Sequence, residues 1–173
     1  MTERINTQNR IIKPEEKAVE LLTKSGKTVA TAESCTAGLV SKRITDVPGA
    51  SGVFHWGAVT YANYVKEKVL GVRHETIVKF GAVSEQTARE MALGIKKSSG
   101  ADYGISVTGF AGPGCDEEGK APGLIYIAVA GERGVALSKI ETGSSDREFN
   151  RNTAAGACLR LLCDYIENTL EKP

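Results

Sequence analysis

The segment best suited to chemistry is the run AESCTAG at residues 32–38. A strand over 28–34 is predicted before it, and a helix with apolar residues such as Leu39 and Ile44 after it. Ser34 would then lie at a strand end beside unpaired N–H groups, an arrangement that exposes a nucleophile and supplies donors to an oxyanion. Those donors would be the N–H groups of Cys35, Thr36, Ala37 and Gly38. The position also suits a helix N-cap, which is the commoner role of such a serine.

A nucleophilic serine needs a group that accepts its proton. The chain has only two histidines, His55 in a predicted strand and His74 at a predicted helix start, and neither position suits a base. A lysine can take the role when burial keeps it partly neutral. Tyr61, Asn63 and Lys66 lie at a predicted strand-to-helix transition and can point into one cleft. The alternative, a solvated surface lysine, is the more frequent case.

Cys35 is a rival nucleophile because a helix N-terminus lowers the pKa of a thiol. Adjacent residues of a turn point in different directions, however, and a small buried thiol is the commoner role. Cys158 and Cys163 fall about 140° apart around one predicted helix, so they do not form a ligand pair. The sequence contains neither CxxC nor HExxH and predicts no metal site.

Two glycine-rich segments follow one another at residues 108–114 and 114–121. The first, TGFAGPG, lets the backbone approach a ligand closely, although a plain turn is the alternative. The second, GCDEEGKA, imitates a phosphate-binding loop. Its three acidic residues would repel phosphate, and a strand rather than a helix follows it, so we interpret it as a chance match.

Arg147 and Arg151 are four residues apart at the start of the last predicted helix, which places both guanidinium groups on one face. They could bind a phosphate group together. They could equally pair with acids such as Asp146 and Glu148. From these residues alone, pairing with surface acids is the favoured interpretation.

The composition of the 173 residues, 41% hydrophobic and 25% charged, is typical of one globular domain whose core needs no disulfide. Lys and Arg number 22 against 21 Asp and Glu, so the charge gives no reason to expect nucleic acid as a partner. No apolar stretch is long enough to span a membrane, and the polar start is unlike a secretory signal. We therefore expect no membrane partner and a cytoplasmic location.

Predicted helices alternate with predicted strands, apart from one hairpin. The pattern indicates an α/β fold in which helices sandwich a mixed sheet in three layers. Helices are predicted over 14–24, from 39 to the breaker at 46–49, and over 64–70, 74–80, 84–98 and 146–170, and strands over 28–34, 52–62, 102–110, 123–131 and 134–143. We expect a flexible arm over 1–13 and a single domain over 14–173.

Seven segments, in this order, resemble the CinA C-terminal domain family of nicotinamide mononucleotide deamidases. They are residues 32–38, 45–51, 57–72, 81–94, 107–114, 123–131 and 145–151. The resemblance spans roughly 14–170. It implies the three-layer fold of that family, a homodimer, no cofactor, and hydrolysis of nicotinamide mononucleotide to nicotinic acid mononucleotide and ammonia.

The resemblance also implies roles for individual residues. Ser34 matches the nucleophile, Lys66 the base, and Tyr61 a further catalytic residue. Contacts to the nucleotide substrate are implied for Cys35, Thr36, Ala37, Gly38, Asn63, Thr108, Gly109, Gly112 and Arg147, with Arg147 at the phosphate.

The chain departs from the family pattern at Ala37 and Cys115, where glycine is usual. A methyl group at position 37 narrows the space beside the nucleophile and is poorly tolerated where φ is positive. A side chain at position 115 stands where a ligand needs close backbone approach. Two alternative functions follow: a non-catalytic nucleotide-binding module that retains the pocket, and amide hydrolysis of a different substrate.

Overall fold

One mixed sheet runs through the computed structural model, which describes residues 12–114 and 119–170. Its strands are β1 (Val29–Glu33), β2 (Phe54–Val59), β3 (Tyr103–Phe110), β4 (Leu124–Gly131) and β5 (Gly134–Glu141). The strand order is β2-β1-β3-β4-β5. β1 is parallel to both of its neighbours, β2 and β3. β4 is antiparallel to β3 and to β5, so the predicted mixed sheet is confirmed.

Helices cover both faces of this sheet. In the described residues they are α1 (Pro14–Ser25), α2 (Leu39–Thr45), α3 (Asn63–Leu70), α4 (His74–Phe80), α5 (Glu85–Ser99) and α6 (Arg147–Leu170). α1, α2 and α6 pack together on one face, and α3, α4 and α5 pack on the other. The three-layer α/β/α fold is confirmed. None of the described helices is both long and apolar enough to cross a membrane.

α2 begins at Leu39, as the sequence predicts. The residues between Ser34 and the helix, 35–38, form a turn. Ala37 has a φ of 50° and Gly38 a φ of 94°, and these left-handed conformations keep the chain out of a helix. The predicted arm lies outside the described residues except for Ile12 and Lys13, as does Cys115.

The two faces of the sheet carry different side chains. Ile125, Ile127 and Val129 of β4 point into the large aliphatic core beneath α1, α2 and α6. The opposite face is lined by small residues such as Ala128 and Ala130, which meet alanines of α5. This choice of residues allows α5 to lie directly against the sheet.

The carboxyl ends of the three parallel strands lie at one edge of the sheet. The hydrogen-bond ladder extends one residue beyond two of them, because the N–H of Ser34 donates to the carbonyl of Val107 (2.9 Å) and that of Thr60 to the carbonyl of Glu33 (2.8 Å). This edge is where open α/β sheets bind their ligands. The sheet thus fixes the backbone on both sides of the candidate nucleophile.

α3, which carries Lys66, is held by a close contact with α5. A Cβ atom added at Gly94 would overlap the carbonyl oxygen of Leu70, the last residue of α3. Only glycine at position 94 lets the two helices approach this closely.

We expect Gly94→Ala to lower the free energy of unfolding by about 1–3 kcal/mol, because the added methyl group forces α3 away from α5. Urea titration measures the change. Gly52→Ala is the matched control, since an added Cβ there meets nothing within 4 Å. Equal effects of the two substitutions would contradict the packing argument.

Candidate active site

Ser34 and Lys66 meet at the carboxyl edge of the sheet. The Lys66 Nζ lies 3.2 Å from the Ser34 Oγ, 2.8 Å from the carbonyl oxygen of Thr60 and 3.0 Å from that of Tyr61. Lys66 is 1% exposed and Ser34 8% exposed. The two commoner interpretations are therefore wrong: Lys66 is not a surface lysine, and Ser34 does not cap α2, whose N-cap is Gly38.

Burial lowers the pKa of Lys66 to about 8. Within residues 12–114 and 119–170, no carboxylate forms an ion pair with its Nζ. A neutral amine has two N–H donors and one lone pair. The carbonyls of Thr60 and Tyr61 can only accept, so they take the two donors and leave the lone pair for the Ser34 hydroxyl. The geometry suits transfer of the hydroxyl proton to the lysine.

The buried carboxylate of Glu33 fixes the turn that follows Ser34. It accepts hydrogen bonds from the N–H groups of Gly38 (2.9 Å), Val40 (3.0 Å) and Ser41 (2.8 Å), and from the Ser41 hydroxyl (2.6 Å). These are the otherwise unpaired donors at the start of α2. Because Glu33 satisfies them, the Ser34 hydroxyl is left for Lys66.

Two of the four predicted oxyanion donors are already used. The N–H of Ala37 donates to the carbonyl of Ser34 (3.1 Å), and that of Gly38 to Glu33. The N–H groups of Cys35 and Thr36 have no acceptor among the residues that the structure describes. An oxyanion on a carbon attacked by Ser34 therefore has two candidate donors, those of Cys35 and Thr36.

Cys35 is not a competing nucleophile in this structure. Its side chain is buried, and burial raises the pKa of its thiol to about 12. A thiol with that pKa stays protonated at neutral pH, and the thiolate is the reactive form. Cys158 and Cys163 are also buried.

The two histidines lie away from the Ser34–Lys66 pair. His55 is exposed on the edge strand β2. His74 begins α4, and its Nδ1 lies 3.0 Å from the carboxylate of Glu67, which raises the pKa of the imidazole. In the part of the chain described, no group of three or more His, Cys, Asp or Glu residues is arranged to hold a metal ion.

Tyr61, Asn63 and Arg147 border the site on its exposed side. The Tyr61 side chain is largely exposed, and its hydroxyl lies 3.4 Å from the Nη2 of Arg147. The Nη1 of Arg147 donates to the carbonyl of Gly112 (2.8 Å). Asn63 is exposed at the first position of α3. Arg147 thus links the segment after β2 to the loop after β3, whereas the Tyr61 hydroxyl contacts neither Ser34 nor Lys66.

The glycine-rich segment after β3 is used partly for packing. The Thr108 hydroxyl donates to the carbonyl of Ala82 (2.7 Å). A Cβ atom on Gly109 would lie 2.8 Å from the carbonyl oxygen of Leu124, so glycine is needed there for pairing with β4. Gly112, with a φ of 87°, requires glycine for its backbone conformation.

Arg147 and Arg151 do not pair with acids, contrary to the favoured interpretation of the sequence. Neither guanidinium forms an ion pair among the residues described here. Arg151 instead donates from Nε to the carbonyl of Cys35 (3.1 Å) and from Nη2 to that of Thr36 (2.8 Å). Both arginines line a cleft of about 380 Å³ beside the turn, together with Leu39, Glu148 and Asn152.

Sequence reasoning missed two residues that shape the site, Glu33 and Asn150. Asn150 is buried in α6 and donates to the carbonyls of Ala111 (3.0 Å) and Ser144 (2.8 Å), which fixes the loop that Arg147 contacts. Glu33 left a signal in the sequence, because a charged residue inside a predicted buried strand requires partners. Asn150 left no comparable signal.

A model of the CinA C-terminal domain matches residues 12–166 of the chain. The chain belongs to the CinA C-terminal domain family. A CinA-like protein of Kosmotoga olearia is 50% identical over 156 residues, which cover 90% of this chain and 37% of that protein. The nicotinamide-nucleotide amidohydrolase PncC of Escherichia coli is 41% identical over 164 residues, covering 94% of this chain and 99% of that protein.

Solved CinA structures share the fold. A CinA superfamily protein of Klebsiella pneumoniae superposes with a TM-score of 0.86 at 28% identity, covering 90% of this chain and 96% of that one. The competence/damage inducible protein CihA of Agrobacterium tumefaciens gives a TM-score of 0.83 at 37% identity, covering 91% and 98%. The chain spans little more than a third of the CinA-like relatives it matches.

The lowered pKa of Lys66 predicts a pH-dependent stability difference between wild type and Lys66→Met. The unfolded lysine binds its proton up to a pKa of 10.5 and the folded one only up to about 8, so the wild type gains stability as pH rises between these values. We expect a gain of about 2 kcal/mol relative to the variant from about pH 7 to about pH 9.5. Urea titrations at both pH values measure it, and a constant difference would show an ordinary lysine pKa.

Proposed function

We propose that this CinA domain hydrolyses the carboxamide of nicotinamide mononucleotide, releasing nicotinic acid mononucleotide and ammonia. The observation that carries the proposal is the buried contact between the Ser34 hydroxyl and a lysine whose pKa is lowered to about 8. The similarity to Escherichia coli PncC supports the choice of substrate. No cofactor takes part in the proposed reaction.

In the first half of the reaction, the Ser34 Oγ attacks the carboxamide carbon while Lys66 takes the hydroxyl proton. The oxyanion that forms accepts hydrogen bonds from the N–H groups of Cys35 and Thr36. The carbon–nitrogen bond then breaks, and the Lys66 ammonium returns the proton to the leaving nitrogen, which departs as ammonia. An ester between Ser34 and the nicotinoyl carbon remains.

In the second half, water attacks this ester. Lys66, neutral again, takes a proton from the water, and the oxyanion uses the same two N–H groups. The bond between the carbon and the Ser34 Oγ breaks, the ammonium of Lys66 protonates the serine, and the acid is released. One lysine thus serves as base and acid in both halves.

Exposed groups around the pair bind the nucleotide in this proposal. Arg147 holds the phosphate, since a guanidinium suits phosphate oxygens and this one forms no ion pair among the described residues. Tyr61 orients Arg147 through its hydroxyl and contributes its carbonyl to Lys66. Asn63 and the loop at Gly112 complete the substrate contacts.

One structural feature and one assay separate the proposal from its alternatives. Lys66 is buried and pairs with no carboxylate within residues 12–114 and 119–170. A module that only bound a nucleotide would gain nothing from such a lysine, because burial of the amine costs stability. Hydrolysis of a different amide would use the same pair with other groups at the exposed border. Ammonia release from nicotinamide mononucleotide, compared with release from nicotinamide, separates the substrates.

The protein is a homodimer of the cytoplasm in this proposal, with no nucleic-acid partner. Support for a second copy comes from the edge strand β2, which leaves Trp56 36% exposed and Val59 51% exposed. Light scattering coupled to size exclusion reports the mass in solution.

We expect Ser34→Ala and Lys66→Met each to reduce kcat for ammonia release by at least about 10³-fold, because each removes one member of the reacting pair. Matched controls are Ser51→Ala and Lys68→Met, which change exposed residues of the same types. The controls should retain wild-type kcat. Undiminished turnover in either test variant would refute the mechanism.

The activity should also follow the protonation of Lys66. Only the neutral amine accepts the serine proton, so kcat/KM should fall about tenfold for each pH unit below a pKa of about 8 and level off above it. A pH profile on the wild type measures this. A profile governed by a group with a pKa near 6.5 would point to a histidine base instead.

A further inference from the structure

Arg151 reaches from α6 to the back of the turn that carries Ser34. Its Nε donates to the carbonyl oxygen of Cys35 at 3.1 Å, and its Nη2 to that of Thr36 at 2.8 Å. Its guanidinium is partly buried and forms no ion pair in the part of the chain that the structure describes. A guanidinium group that donates hydrogen bonds to two successive carbonyls fixes the orientation of two successive peptide planes.

The first of these planes also contains a candidate oxyanion donor. In a trans peptide unit the C=O and the N–H point in opposite directions. The carbonyl of Cys35 and the N–H of Thr36 belong to one such unit, so a cation that holds the carbonyl directs the N–H away from α6. The same cation draws electron density toward the carbonyl oxygen and makes the N–H a stronger donor. That N–H has no acceptor among the described residues.

The second plane is held by the main chain as well as by Arg151, since the carbonyl of Thr36 also accepts the N–H of Leu39 at 3.1 Å. The carbonyl of Thr36 belongs to the same peptide unit as the N–H of Ala37, which closes the turn onto the carbonyl of Ser34. Ala37 has a φ of 50°, a left-handed conformation that is unfavourable for alanine. The turn therefore tends to relax, and Arg151 opposes that tendency where the carbonyls face α6.

We propose that Arg151 is a positioning residue, which orients and polarises the peptide between Cys35 and Thr36 so that the Thr36 N–H stabilises the oxyanion. The inference rests on the proposed function for the identity of the reaction. It assigns Arg151 a role different from that of Arg147, although both line the same cleft.

The test compares Arg151→Ala and Arg151→Lys with Arg147→Ala in ammonia release from nicotinamide mononucleotide. A displaced donor reduces stabilisation of the transition state more than it reduces substrate binding. Both Arg151 variants should therefore lose about 10- to 100-fold in kcat, with KM changed less than about twofold. Arg147→Ala should instead raise KM. Arg160→Ala, an exposed arginine of α6, is the control and should match the wild type.

Added guanidinium distinguishes positioning from a general loss of stability. It should restore part of the kcat of Arg151→Ala and leave the Arg160→Ala control unchanged. Unchanged kcat in folded Arg151→Ala would overturn the inference. So would a raised KM with normal kcat, which would make Arg151 a phosphate ligand. Arg151→Lys keeps the charge and most of the packing, so it decides the question if Arg151→Ala does not fold.

The rate at which a fluorophosphonate labels Ser34 tests the role of Arg151 without depending on the identity of the substrate. This probe phosphonylates a reactive serine, and its phosphoryl oxygen requires the same N–H donors. If the wild type releases no ammonia from the mononucleotide, the proposed function fails, and slower labelling of Arg151→Ala than of Arg160→Ala still supports the role of Arg151. Equal labelling rates for these two variants would overturn it.

Discussion

The site depends on the burial of one amine that no carboxylate of the described residues neutralises. Lys66 is almost fully buried, and its Nζ forms hydrogen bonds with two main-chain carbonyls and one hydroxyl group. A carboxylate in their place would stabilise the ammonium and raise its pKa, which would leave no base at neutral pH. Carbonyl oxygens satisfy the donors of the amine while leaving its charged form unfavourable. The fold provides them by ending β2 directly beside the end of β1.

The turn after β1 is restrained from opposite sides by groups of opposite charge. Glu33 accepts hydrogen bonds from the N–H groups at the end of the turn and the start of α2, those of Gly38, Val40 and Ser41. Arg151 donates hydrogen bonds to the carbonyls at the start of the turn, those of Cys35 and Thr36. Each charged side chain takes the polar groups that would otherwise compete for Ser34 or for the oxyanion. Among the described residues, the N–H groups of Cys35 and Thr36 are the two of this turn that have no acceptor.

Much of this arrangement could be predicted from the sequence. The breakers, caps and apolar periods located the described elements to within a few residues, as at α5, where Ser84 accepts the N–H of Thr87 as an N-cap. The segment containing Ser34 was recognisable from its place between a strand and a helix. Lys66 was one candidate among many lysines, because burial is a property of the folded chain. The resemblance to CinA proteins selected it.

The long-range bonds were beyond sequence reasoning. Arg151 is more than a hundred residues from the carbonyls that it contacts. Two acids about one turn or more before it in the sequence, Asp146 and Glu148, offered a local pairing instead. At Ala37 the sequence pointed two ways: the glycine usual at this position in the family indicated a positive φ, whereas the intrinsic preference of alanine favours a helix. In both cases tertiary contacts override the local preference.

Ser34 and Lys66, the groups proposed to react, differ in exposure from the groups proposed to bind the substrate. Ser34 and Lys66 are buried and held by the sheet, whereas Tyr61 is 59% exposed and Arg147 lies at the surface. Surface side chains tolerate replacement far better than buried ones. If the proposed reaction holds, natural variation can alter which amide a CinA domain accepts while leaving the proposed reacting pair intact, and the chemistry can outlast several changes of substrate in evolution.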